Sequence, residues 1–257
     1  MTGKSTETAI NPKLLIWARE GIGKSLAEAS ELMEIPVDRL QTLEAGKAKI
    51  LMTELEKATK IYKRPLAVFF LPAPPVEIPA PVDFRKLPEG SSKPISMKTR
   101  LAIRKARRLQ TIFSELIEEE GRNPRPPLPK IDSTQLGRGE ACAEEIRGLL
   151  GITSEIQRKW VDEKEALNEW RKAIEKLGIL IFQISMPVEE SRGFSLADGK
   201  VPAIILNPQD SVKGRIFSLL HELGHILLDK SGLCNMIMEF GSNGEKERIE
   251  YFSCVIG

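Results

Sequence analysis

His221, Glu222 and His225 spell His-Glu-x-x-His inside the run Ser218-Leu-Leu-His-Glu-Leu-Gly-His-Ile-Leu-Leu228, and no other residues in the chain are better arranged for chemistry. Both histidines of the protein lie in this motif. Helical side chains four apart sit one turn above each other, so two imidazoles at that spacing can share one metal ion. Glu222 is rotated about 100° from His221, which stations its carboxylate beside such an ion as a general base. Zinc suits two imidazoles and a carboxylate, and an open position on it accommodates water. The chemistry expected is peptide hydrolysis without a covalent intermediate: Glu222 takes the proton of the attacking water and returns it to the leaving amine. With no further histidine, the third ligand must be Asp, Glu or Cys. Asp229, Glu239, Glu245, Glu247 and Glu250 are the acidic residues downstream. Glu250 is preferred because it lies in a second helical run, 247–256, and Glu247 shares its face as the alternative.

The elements that must position these residues follow from periodicity. The motif helix opens near Ser211, with Leu219, Leu220, Leu223, Ile226 and Leu227 as its core face. Gly224 costs a helix interior about 1 kcal/mol relative to alanine, so a neighbour is expected to pack closely there. Three strand-like runs precede the helix, at 179–185, 193–196 and 201–206. Helical patterns cover 97–120, with Leu101, Leu109, Ile112, Phe113, Leu116 and Ile117 inward, and then 139–150 and 163–177.

Further upstream, residues 11–62 read as four short helices: one on Leu14, Leu15 and Ala18, one capped by Ser25, one starting at Pro36 and one capped by Thr53. This is the layout of a helix-turn-helix domain. Prolines crowd 65–94, and a second cluster falls at 124–129. The expected organisation is a flexible arm at 1–10, a helix-turn-helix domain at 11–72, a proline-rich linker at 73–97, a helical connector at 98–160 and the metal-motif domain at 161–257. The fold class is α+β, an all-α N-terminal domain followed by a domain with a small mixed sheet.

Composition narrows the rest. The 257 residues are 41% hydrophobic and 29% charged, ordinary for a globular protein, and a net charge of +2 selects no partner. Cys142, Cys234 and Cys254 are odd in number and far apart, which argues against a disulfide framework and for a cytoplasmic setting. No apolar run approaches the roughly 18 residues of a membrane span. Between residues 11 and 64, ten Lys or Arg stand against eight Asp or Glu, a weak footing for DNA binding. Arg39, Gln41 and Thr42 on the third helix are the candidates for base contacts. Nine basic residues fall between Arg85 and Arg108 with Glu89 as the sole acid. Arg100, Arg104 and Arg107 share a helical face there and are candidates for phosphate contacts, or else pair with Glu118–Glu120 or with the metal-motif domain. The N-terminal module can equally bind protein.

Arg192-Gly-Phe-Ser-Leu196, Ile204-Ile-Leu-Asn207, Arg215-Ile-Phe-Ser-Leu-Leu-His-Glu-Leu-Gly-His-Ile-Leu-Leu228 and Ser231-Gly232 resemble the ImmA/IrrE family of bacterial and phage metallopeptidases. Trp17-Ala-Arg-Glu20, Leu43-Glu-Ala-Gly46, Tyr62-Lys-Arg-Pro-Leu-Ala-Val-Phe-Phe-Leu-Pro72 and Asp83-Phe-Arg-Lys-Leu-Pro88 are similar to members with an N-terminal helix-turn-helix of the XRE type. The resemblance implies a zincin-like fold and a zinc metallo-endopeptidase that cleaves a helix-turn-helix repressor or an antitoxin. It places the third ligand at Glu250 in Glu250-Tyr-Phe-Ser-Cys254, where Cys254 stands for the family's frequent asparagine. It also implies that the peptidase domain continues beyond Gly257. The competing expectation is a DNA-binding regulator or antitoxin whose peptidase-like domain holds metal without cutting; Glu222, which metal binding alone does not need, favours the enzyme.

Overall fold

Asparagine, serine and glutamate set the helix starts near the N-terminus. The Asn11 side chain accepts from the Lys13 N–H and begins α1 (Pro12–Gly21). Ser25 and Glu28 form a reciprocal capping box at α2 (Leu26–Met33), which Glu34 ends in a left-handed conformation at φ 54°. Pro36 is the residue before α3 (Val37–Glu44) rather than its first residue. α4 (Met52–Tyr62) starts one residue before Thr53, the expected cap. Its leading N–H, that of Leu51, is satisfied at 2.8 Å by the Glu54 carboxylate. A 3-10 turn follows at Leu66–Phe70.

The computed structural model describes residues 6–77, 95–121, 128 and 139–227. These divide into two compact units, 6–77 with 95–101, and 102–227. The core of the first unit is built from α1 to α4 and the 3-10 turn, with Leu14, Ala18, Met33, Leu40, Leu55, Tyr62 and Phe69 all buried. Glu7–Thr8 (β1) pairs antiparallel with Ile50–Leu51 (β2), so the arm expected at 1–10 has two residues in a ladder. Met97 and Leu101, at the start of α5 (Met97–Glu119), pack on this first core.

The second unit carries a three-stranded sheet of β3 (Leu180–Gln183), β4 (Gly193–Leu196) and β5 (Ala203–Leu206) in the order β3-β5-β4. β3 runs parallel to β5 and β4 antiparallel to it, with Gly193 opposite Leu206 and Leu196 opposite Ala203. β5 is buried along its whole length, as a central strand's continuous apolar run requires. Against the sheet lie α8 (Glu163–Lys176), capped by Asp162, and α9 (Val212–Leu227). Ile146 and Leu150 of α6 (Gly139–Leu150), together with Ile152 just before the short α7 (Ser154–Gln157), complete the core, so part of the expected connector is domain interior. The face of α5 also differs from expectation. Ala102, Ile103, Ala106, Gln110 and Ser114 are inward, whereas Ile112, Phe113 and Leu116 are exposed. The reason is polar: the Gln110 amide donates to the carbonyls of Leu196 and Val201, closing the β4–β5 hairpin from a buried position.

Candidate metal centre

α9 begins where Asp210 and Ser211 satisfy its first amides. The Ser211 N–H donates to Asp210 Oδ1 at 2.8 Å, and Ser211 Oγ accepts from the Gly214 N–H at 3.0 Å. Its inward face carries Ser218, Leu219, Leu220, Leu223, Gly224, Ile226 and Leu227, so periodicity located both the helix and its core side. Gly224 is itself buried on this face. β4 lies against the same helix. A Cβ on Gly193 would stand 2.9 Å from the Ile205 carbonyl oxygen and 3.3 Å from Ser218 Cβ, so only glycine lets the strand come this near.

That packing holds His221, Glu222 and His225 half-buried at the edge of the apolar face. The Nε2 atoms of His221 and His225 converge to 3.0 Å, with the rings edge-on at 76°. Phe217, one turn earlier and exposed, stacks on the His221 ring at 5.9 Å between centroids. Two ring nitrogens this close could hold one cation between them, and neutral imidazole is a ligand type that suits zinc. Among the described residues no third His, Cys, Asp or Glu joins them. Glu247 and Glu250, the candidates from sequence, lie outside the described residues.

A polar scaffold leads into α9, and its central residue, Asn207, closes the Ile204–Asn207 stretch of the resemblance, which gives it no role. Asn207 is fully buried at the end of β5, where its Nδ2 donates to the Met186 and Ser191 carbonyls at 2.8 and 3.0 Å. Its Oδ1 accepts from the Gln209 N–H, so one side chain ties the loop after β3 to the turn that opens α9. A buried asparagine directly after an apolar strand was the available signal.

The candidate nucleic-acid residues are placed as follows. Arg39 is engaged by Glu54 through two bonds at 2.9 and 3.0 Å and donates to the Lys49 carbonyl. Burial pushes the Glu54 carboxyl up, but Arg39 and the Leu51 N–H pull it net below its ordinary value. Thr42 Oγ1 donates to the Asp38 carbonyl, and Gln41 is exposed. Arg100 donates to the Ile95 carbonyl, and Arg104 is half-buried. Arg107 pairs with both Asp198 oxygens, its Nη2 at 2.7 Å from Oδ2, which is the pairing with the metal-motif domain weighed from sequence.

No helix among the described residues is long and apolar enough to cross a membrane. No curated protein and no solved structure matches the chain. Residues 174–252, less than a third of the chain, match the family model of the M78 peptidases, described as the IrrE N-terminal-like domain. This span starts in the last turn of α8 and takes in β3, β4, β5 and the His-Glu-x-x-His helix, and its similarity to that family supports a metallopeptidase-type function.

Proposed function

We propose that the protein is a zinc-dependent endopeptidase that cleaves a transcriptional repressor or an antitoxin-type protein, its first unit serving as a helix-turn-helix module of the XRE type. The observation that carries this reading is the convergence of His221 and His225 Nε2, with Glu222 beside them on the same helix. His221 and His225 would hold the ion, and Glu250 or Glu247 would complete the set. Zinc, when bound, supplies Lewis-acid activation of water and of the scissile carbonyl. Glu222 accepts a proton from the attacking water as the C–O bond forms, then delivers it to the amine as the C–N bond breaks.

Substrate would lie extended along β4. Among the described residues the outer edge of β4 has no strand partner, which leaves room for an added strand, and the Gly193 carbonyl on it accepts from Ser191 Oγ at 2.8 Å. Gly193 brings this edge against α9 close to Ser218, one turn before the motif. The deciding experiment measures zinc content and cleavage of the product of the neighbouring gene, for the native chain and for Glu222→Gln. Zinc in both with cleavage by the native chain alone supports the enzyme. Zinc in both with no cleavage, together with salt-dependent binding to the protein's own promoter, would establish a non-cleaving regulator.

A further inference from the structure

Residues 6–77 hold three arginines, one of them on α3, and all three are already committed. Arg39 is held by Glu54 and the Lys49 carbonyl, and Arg19 by Glu44 and the Lys24 carbonyl. Arg64 lies over the Trp17 ring and pairs with Glu77. What α2, its turn and the start of α3 leave at the surface is different in kind. Leu32 and Val37 are 47% and 42% exposed, and Pro36 between them is exposed as well. Around them stand Glu31 and Asp38, exposed and without an ion pair among the described residues, and Glu34, exposed and paired with Lys57. All of these fall within residues 31–38, drawn together by a three-residue turn that the Ile35 N–H closes onto the Ser30 carbonyl.

In a helix-turn-helix the first turn of the second helix meets base edges and phosphates, where each carboxylate adds repulsion. An apolar centre with a charged rim is instead the make-up of a protein interface. We propose that the α2–α3 face is a protein-docking surface, and that its occupant is a protein segment presenting apolar side chains flanked by lysine or arginine. Charge complementarity selects that occupant. A second copy of the same face would set Glu31 and Asp38 against their own kind, as would a DNA backbone. The inference rests on no step of the peptidase chemistry.

The test uses the full chain and three fluorescent probes: an amphipathic Leu/Lys peptide of about 14 residues, its Leu/Glu counterpart, and a DNA duplex of about 20 base pairs. The chain should bind the Leu/Lys peptide and not the Leu/Glu peptide. Glu31→Lys/Asp38→Lys and, separately, Leu32→Ser/Val37→Ser should each weaken binding by about tenfold or more. Glu20→Lys/Glu56→Lys, the same charge change at exposed sites on α1 and α4, should leave affinity within about twofold. The proposal is overturned by no binding of the Leu/Lys peptide, or by an equal loss in the control pair. It is also overturned if Leu32→Ser/Val37→Ser abolishes duplex binding, or abolishes self-association seen by sedimentation.

Discussion

Replacing Asn207 tests the polar scaffold that leads into the helix of the candidate metal centre. Asn207→Ala removes two bonds donated to the Met186 and Ser191 carbonyls and one accepted from the Gln209 N–H. The site is fully buried, so the orphaned groups lose water as well as partner. At about 1 kcal/mol for each lost bond, with more for buried groups left unsatisfied, the cost is about 2–4 kcal/mol. Asn207→Asp refines the test. Its carboxylate can still accept from Gln209, but it sets a negative oxygen against two carbonyls in place of a donor. Burial and those carbonyls raise its folded pKa above the unfolded value, so the added penalty is present at neutral pH and relieved as pH falls through the folded pKa. Urea unfolding at pH 7 and pH 5 measures both variants. A loss under about 0.5 kcal/mol for Asn207→Ala, or an Asp variant no weaker than the Ala variant at pH 7, would refute the account.

Other consequences are equally direct. His225→Ala should reduce bound zinc from about one equivalent to near zero, while Glu222→Gln retains it and loses cleavage; metal analysis of dialysed protein reads both. Gly193→Ala should cost about 1–3 kcal/mol, because its Cβ meets the Ile205 carbonyl at 2.9 Å, and thermal melting will show it. In the first unit Lys24, with the Ser25 N–H and hydroxyl, pulls the Glu28 carboxyl down to about 2, and Glu34 and Glu54 are also lowered. The stability these carboxylates contribute is therefore full above the ordinary value of about 4.3 and is lost as pH falls below it, for Glu28 on approach to about 2. Glu28→Gln should flatten that acid limb in denaturant titrations at successive pH values.

The motif helix and the strands were legible because their signals are local. The run from Ser218 to Leu227 has one period and one apolar side, and the β-runs are short apolar stretches bounded by glycine and proline. The inward face of α5 was not legible in the same way. Ile112, Phe113 and Leu116 outrank Ala102, Ala106 and Gln110 in hydrophobicity, yet the hairpin is closed by the buried amide of Gln110. Arg39 illustrates a second limit. Its type and place suggest a base contact, but its partner Glu54 is fifteen residues away and only the folded chain brings them together. Asn207 was visible as the end of a strand, while its three bonds depend on loops whose path periodicity does not describe.

β4 is fastened at both ends, by the close approach of Gly193 to α9 and by the grip of Gln110 on the hairpin beyond Leu196. A strand of four residues measures about 13 Å and, so fastened, cannot slide in register. Under the proposed function it would act as a fixed gauge, a peptide laid along it meeting the histidines at one offset only. Changes in α5, well away from the motif in sequence, would then shift which peptide bond is cut before they altered how fast it is cut.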